Sequence, residues 1–320
     1  MAEPLARNTA TAPHRGVWQA ELELAEQVKN PFFDVEIEFV FTRPDGTSVS
    51  VCGFFKGYKT WAGRAYCDQI GRWFWRTNSS LASLNEKSGS FEVLPSPLPG
   101  KLRQHPHDSQ QFAYDNGEWY LHIGDTGYRY LADTEPLWQQ YIDEAAQVGF
   151  TKIRTWFCRG RSDVKALFAP NREGLDLAYW DEMDKRLLYA LENYPHIQFQ
   201  LIPFGEDSIE LRRYGAGDPA SLLMVRYAQA RFSALSNVQW CIVNDRYISK
   251  TPTGSQVSPE LINTIGRDMQ AREPWGTLLT NHQVRLQGYS FVNEEWSDII
   301  TLEDRDQVNG KLIQQYRARG

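Results

Sequence analysis

The sequence predicts a multidomain protein: an N-terminal antiparallel β-sandwich followed by an α/β TIM-type (β/α) barrel, six of whose eight units are visible. Three observations predict it. Short segments of alternating apolar and polar residues, bounded by turn signals, recur up to Leu94 and mark a sandwich. A proline-rich passage, Leu94-Pro95-Ser96-Pro97-Leu98-Pro99-Gly100, then interrupts any sheet. From about Phe112 strand-like runs alternate with amphipathic helical ones, which is the grammar of a parallel sheet covered by helices.

Residues 1–15 hold no periodic pattern and are expected to be a disordered lead-in. In the sandwich, 16–94, strands are expected at 16–24, at 35–41 where Val35, Ile37, Phe39 and Phe41 alternate with charges, at 47–55 after the Pro44-Asp45-Gly46 turn, and at 60–67, 71–77 and 90–94. Residues 95–111 read as a stiff linker, and 112–320 as the barrel, incomplete at its C-terminal end. Asp115-Asn116-Gly117 turns a first hairpin. Strands are then expected at 121–124, 152–157, 197–203, 238–243, 277–280 and 298–302. Helices are expected at 135–148, capped by Thr134 and closed by Gly149; at 177–194, stopped by Pro195; from Asp218-Pro219; from Ser258-Pro259; and at 304–316, with Asp304 as its cap. No GxGxxG follows the first strand and no GxxxxGK[ST] occurs, which weighs against an open nucleotide-binding sheet.

Composition narrows the function. Net charge is −6 and no basic block occurs, which argues against a nucleic-acid surface. Aromatic residues make up 13% of the chain, with 11 Trp, enough to serve both large cores and sugar-stacking surfaces. Trp61, Trp73 and Trp75 are candidates for exposed glycan contacts, although Trp73 and Trp75 share a strand face and at least one belongs in the core. None of the four cysteines forms a CxxC pair, so no zinc site is expected. Cys158 and Cys241 lie in apolar runs; Cys52 and Cys67 could bridge or remain free thiols. No run reaches membrane-spanning length. Residues 1–15 lack the apolar stretch of a signal peptide, so the expectation is a cytoplasmic protein or the mature form of an exported one.

In a (β/α) barrel the strand tips carry the chemistry. The tips here offer Asp125 and Tyr128, Arg154 and Trp156, Glu206, Asn244 with Asp245 and Arg246, His282, and Glu303. Carboxylates beside Trp and Arg suit glycoside hydrolysis, in which one carboxyl acts as acid and another as nucleophile or base. Each residue also has a plainer reading: Asp125 as a local cap, Trp156 as core, Glu206 as part of a solvated loop, and Arg154 as an ion-pair partner that orients Asp125. No lysine occupies a strand tip to form a Schiff base, and no cofactor is expected.

The segments His122–Leu131 (HIGDTGYRYL), Phe150–Phe157 (FTKIRTWF) and Val238–Tyr247 (VQWCIVNDRY), with Asn30–Phe41 (NPFFDVEIEFVF) before them, resemble the apiosidase-like glycoside hydrolases, (β/α)8 barrels preceded by a β-sandwich. The resemblance implies that Asp245 is the general acid/base, protonating the departing glycosidic oxygen of an oligosaccharide or polysaccharide of plant, algal or microbial origin. It also implies a second carboxylate, a Glu on strand seven. Six units are visible, and the stretch after Phe112 is shorter than the about 250 residues usual for eight. The expectation is therefore a piece of a longer hydrolase or an incomplete barrel, with Glu303 as a substitute second carboxylate. The alternative functions are a non-catalytic carbohydrate-binding or scaffold protein derived from such a hydrolase and, ranked last, a lyase or aldolase barrel.

Overall fold

The computed structural model describes residues 3–131, 137–157, 165–205, 208–285, 287–303 and 310–318. Two sheets form the N-terminal part. In the first, β1 (Leu5–Arg7), β3 (Val17–Glu23), β7 (Thr60–Tyr66) and β6 (Phe54–Gly57) lie side by side. The second orders β2 (Thr11–Pro13), β9 (Ser88–Leu94), β8 (Gly71–Ser79), β4 (Ile37–Thr42) and β5 (Ser48–Cys52). Aromatic rings lock the two face to face: Trp18 of β3 stacks on Phe91 of β9 with centroids 4.2 Å apart and meets the edge of Phe41 of β4 at 6.2 Å.

Three expectations fail in this part. The first fifteen residues are not a disordered lead-in: β1 pairs with β3 and β2 with β9, both in parallel. Each contributes only three residues, too few for a period to be read from sequence. The single strand expected over 47–55 is two strands in different sheets. Gly53 carries the crossing, its N–H bonded to the Ile37 carbonyl at 2.8 Å; a Cβ there would lie 2.6 Å from the Ile37 side chain, so only glycine lets the chain pass so close. Trp61 and Trp73 are not exposed, being 4% and 0% accessible, whereas Trp75 is half-buried against the core. Cys52 and Cys67 are free thiols, one exposed in the edge strand β5 and one buried just after β7 in the opposite sheet.

The proline-rich passage leads into a hairpin, β10 (Leu102–His105) with β11 (Asp108–Tyr114), so the second half of the expected linker is sheet. The Asn-Gly turn forms as expected, with Gly117 N–H on the Tyr114 carbonyl at 2.8 Å. Beyond it, β12 (Gly124–Asp125), β13 (Lys152–Trp156), β14 (Gln198–Ile202), β15 (Val238–Cys241) and β16 (Leu279–Thr280) form a five-stranded parallel sheet in sequential order.

The helices follow their sequence signals closely. α1 (Trp138–Gln147) ends before Gly149, whose φ of +83° is the left-handed turn that glycine permits. α2 (Leu177–Asn193) is capped by Asp176, which accepts from Tyr179 N–H at 3.2 Å. A short α3 (Ser208–Gly215) was not expected from the polar sequence there. α4 (Pro219–Phe232) and α5 (Pro259–Ala271) begin with proline after Asp218 and Ser258 caps. α6 (Gly310–Arg317) closes the described chain. The expected caps Thr134 and Asp304, with Cys158, lie outside the described residues.

The ends of the parallel sheet depart from expectation. The first strand is two residues rather than four, because the Thr151 hydroxyl occupies the Ile123 N–H at 3.1 Å where a ladder would continue. Leu121 and Ile123 are left 46% and 47% exposed. The segment 298–302 runs beside β16 without becoming a strand: Asp298 N–H donates to Leu279 O at 2.9 Å, the Asp298 carboxylate accepts Leu279 N–H at 2.8 Å, and Thr280 Oγ1 donates to Ile299 O.

One apolar cluster runs continuously from Leu5 to Trp296, joining the two-sheet part to α2, α4 and the parallel sheet. Buried charges cross the same boundary. Arg64 of β7 makes two 2.7 Å bonds to the Asp184 carboxylate of α2, and Arg231 of α4 reaches Asp184 at 3.3 Å and Asp181 at 2.5 Å. Lys101, fully enclosed, donates to Leu235 O at 3.0 Å and Thr277 Oγ1 at 2.8 Å.

Candidate active site

Strand register decides which side chains meet. Arg154, Gln200 and Gln239 are aligned across β13–β15, and Trp156, Ile202 and Cys241 form the next layer toward the C-terminal ends. Alternation along β13 puts Lys152, Arg154 and Trp156 on one face. Trp156 is 3% exposed and forms the floor; Tyr128 lies flat on it, centroids 4.0 Å apart and planes within 11°. Trp156 is thus core, and Tyr128 is the ring presented above it.

The side chain of Asn244, buried at the tip of β15, is the hub. Its Oδ1 accepts from Arg154 Nη2 at 3.0 Å and from Tyr128 OH at 3.4 Å. Arg154 also donates from Nε to Gln200 Oε1 at 2.9 Å, which fixes its plane. The expected Arg154–Asp125 pair is not formed. Asp125 is exposed and instead accepts from Tyr141 OH at 3.0 Å and from Thr126 N–H at 2.7 Å, the local-cap reading.

Asp245 follows with φ +50°, a left-handed turn that aspartate tolerates better than most residues, and is exposed. Its backbone N–H donates to His282 Nδ1 at 3.1 Å. That bond assigns the remaining imidazole proton to Nε2, which stands 3.4 Å from Glu303 Oε2, a contact without hydrogen-bond alignment. Burial, reinforced by the charges of Arg154 and Lys152, pushes His282 down to about 3, so the ring is neutral. Burial and then the charge of Asp245 raise the Glu303 carboxyl above its usual range. Arg246 joins through its backbone, bridged to Gln283, with its N–H 3.5 Å from His282 O.

Of the expected site residues, Tyr128, Arg154, Asn244, Asp245, His282 and Glu303 are thus brought together, Trp156 lies beneath them, and Asp125 stands apart. Glu206 lies outside the described residues. A cavity of about 890 Å³ opens beside the cluster, lined by Tyr128, Arg154, His282 and Glu303, and also by His122 and Lys152. These last two were missed. The Lys152-Arg154-Trp156 alternation was the available signal for Lys152. Among the described residues, no group of three or more His, Cys, Asp or Glu side chains could hold a metal ion, and no helix is long and apolar enough to cross a membrane.

Residues 15–80 match the model of a domain of unknown function (DUF5060). No match was found among curated proteins. Solved structures are more informative. A protein of Bacteroides vulgatus ATCC 8482, provisionally assigned as a glycoside hydrolase, superposes with a TM-score of 0.75 at 18% identity, over 90% of this chain and 58% of its own. A glycoside hydrolase family 5 protein of the same organism superposes with a TM-score of 0.52 at 15% identity, over 69% of this chain and 51% of its own. The chain has the fold of glycoside hydrolase structures and spans little more than half the length of each.

Proposed function

We propose that the chain is a glycoside hydrolase, or part of one, whose parallel sheet forms five staves of a (β/α) barrel and whose substrate is an oligosaccharide or polysaccharide. The observation that carries this reading is the Asn244–Asp245–His282–Glu303 arrangement at the C-terminal ends of parallel strands, beside a cavity large enough for a sugar. Asp245 and Glu303 serve as the carboxyl pair, with Asp245 the general acid/base. Burial, and after it the negative charge of Asp245, raise the Glu303 carboxyl, which favours its protonated form beside Asp245. Neutral His282 holds the Asp245 backbone, Arg154 orients Asn244, and Tyr128 offers its ring to a sugar face. The sandwich, up to Leu94, supports the barrel from Phe112 onward. Hydrolysis of aryl glycosides and a polysaccharide panel tests this. Asp245→Asn and Glu303→Gln are each expected to lower kcat/KM by about 10²–10⁴-fold; rates equal to the native protein would remove that carboxyl from the mechanism.

The open cavity side of the sheet favours a second reading, a carbohydrate-binding protein without turnover. It predicts calorimetric binding of oligosaccharides that is lost on Tyr128→Ala, with no product formed.

A further inference from the structure

One end of the cavity carries charge that the proposed chemistry does not use. Lys152 is 4% exposed and lines the cavity, and its side chain makes no hydrogen bond or ion pair among the described residues. Arg154, two residues along the same face, adds a second cation whose bonds go to neutral oxygens of Gln200 and Asn244. The buried Gln200 amide, in the Arg154 layer, keeps Nε2 without a partner. Two carboxyl groups also line the cavity, Glu303 at the strand-tip end beside His282 and Asp298, which accepts Leu279 N–H, and neither is bonded to Lys152 or Arg154 among the described residues. Two cations therefore line the cavity with no carboxylate bonded to them, and a spare N–H donor lies in the Arg154 layer. A buried ammonium is costly without a counter-charge, so the arrangement is complementary to an oxyanion entering through the cavity.

We propose that the Lys152–Arg154 end of the cavity is a subsite for an anionic sugar, recognised through a uronate carboxylate or a sulfate ester. The inference rests on the saccharide-binding part of the functional reading and names the substrate class. Burial, aided by the Arg154 charge, brings Lys152 down to about 7, and a bound anion would restore its full charge.

The test uses the full chain carrying Asp245→Asn, so that binding is measured without turnover. Calorimetry compares trigalacturonate, a sulfated galactose trisaccharide and neutral galactotriose. The expected result is at least a tenfold preference for one acidic ligand; which of the two is preferred identifies the anion. Lys152→Met should abolish that preference while leaving the neutral affinity and the melting temperature no lower, and Lys152→Arg should retain it. Equal affinities, a preference that survives Lys152→Met, or no binding by any ligand would overturn the proposal. The two readings fail separately: hydrolysis of neutral glycosides with no acid preference sinks only the subsite, and acid-selective binding with no hydrolysis of any panel member sinks only the catalytic reading.

Discussion

The parallel sheet has a closed side and an open side, and they treat buried cations differently. Where the helices meet the two-sheet part, Arg64 and Arg231 share the Asp184 carboxylate, and Lys101 is held by a carbonyl and a hydroxyl. On the cavity side Lys152 is as deeply buried and has no such partners among the described residues, while Leu121 and Ile123 stand exposed at the sheet edge. Burial alone does not make a charge structural. The partner decides whether it fastens two elements or waits for a ligand.

This contrast can be broken by substitution. The largest effect is expected from Asp184→Ala, which leaves buried Arg64 without its carboxylate and Arg231 with Asp181 alone, and should cost about 3–5 kcal/mol in urea unfolding. A loss below about 1 kcal/mol would mean that the closed side is not held by its ion pairs. The same change at two buried lysines should then go opposite ways. Lys101→Met removes two hydrogen bonds and is expected to cost about 1–3 kcal/mol. Lys152→Met removes an unmatched charge and should gain about 1 kcal/mol. Equal signs would erase the distinction between the two sides.

The pH dependence sharpens it. Burial lowers both Lys101 and Lys152 from 10.5 to about 7. Between pH 7 and 10.5 the unfolded chain therefore binds protons that the folded chain has released, so these two groups make stability rise with pH across that window. Each lysine-to-methionine variant should flatten the rise in denaturation midpoint, and an unchanged slope would contradict the shifts. The smallest effect is expected at the exposed Lys185–Glu182 pair: Lys185→Ala should change stability by less than about 0.5 kcal/mol.

What could be read in the sequence follows the length and regularity of the elements. β13, β14 and β15, and the helices opened by Asp218-Pro219 and Ser258-Pro259, carry strong periods and caps and lie where expected. β1 and β2 are three-residue strands whose pairing is set by distant partners, and the Gly53 crossing depends on packing against Ile37, so neither left a local signal. At the site, alternation and strand-tip position identified Asn244, His282 and Arg154. They did not reveal that Arg154 turns to Asn244 rather than Asp125, because that choice depends on the register of β13 against β14 and β15. Lys152 carries no strand-tip signal, because it begins its strand.

The proline-rich passage has a dynamic consequence. It resembles a hinge in sequence, yet it is fastened at its exit: Lys101 is anchored to Leu235 and Thr277, and Asp115 receives Lys101 N–H at 3.0 Å and Arg103 Nε at 2.9 Å. Rotation of the two-sheet part against the parallel sheet would break these bonds and open the continuous core. Access to the cavity therefore cannot be gated by swinging one half of the molecule away from the other.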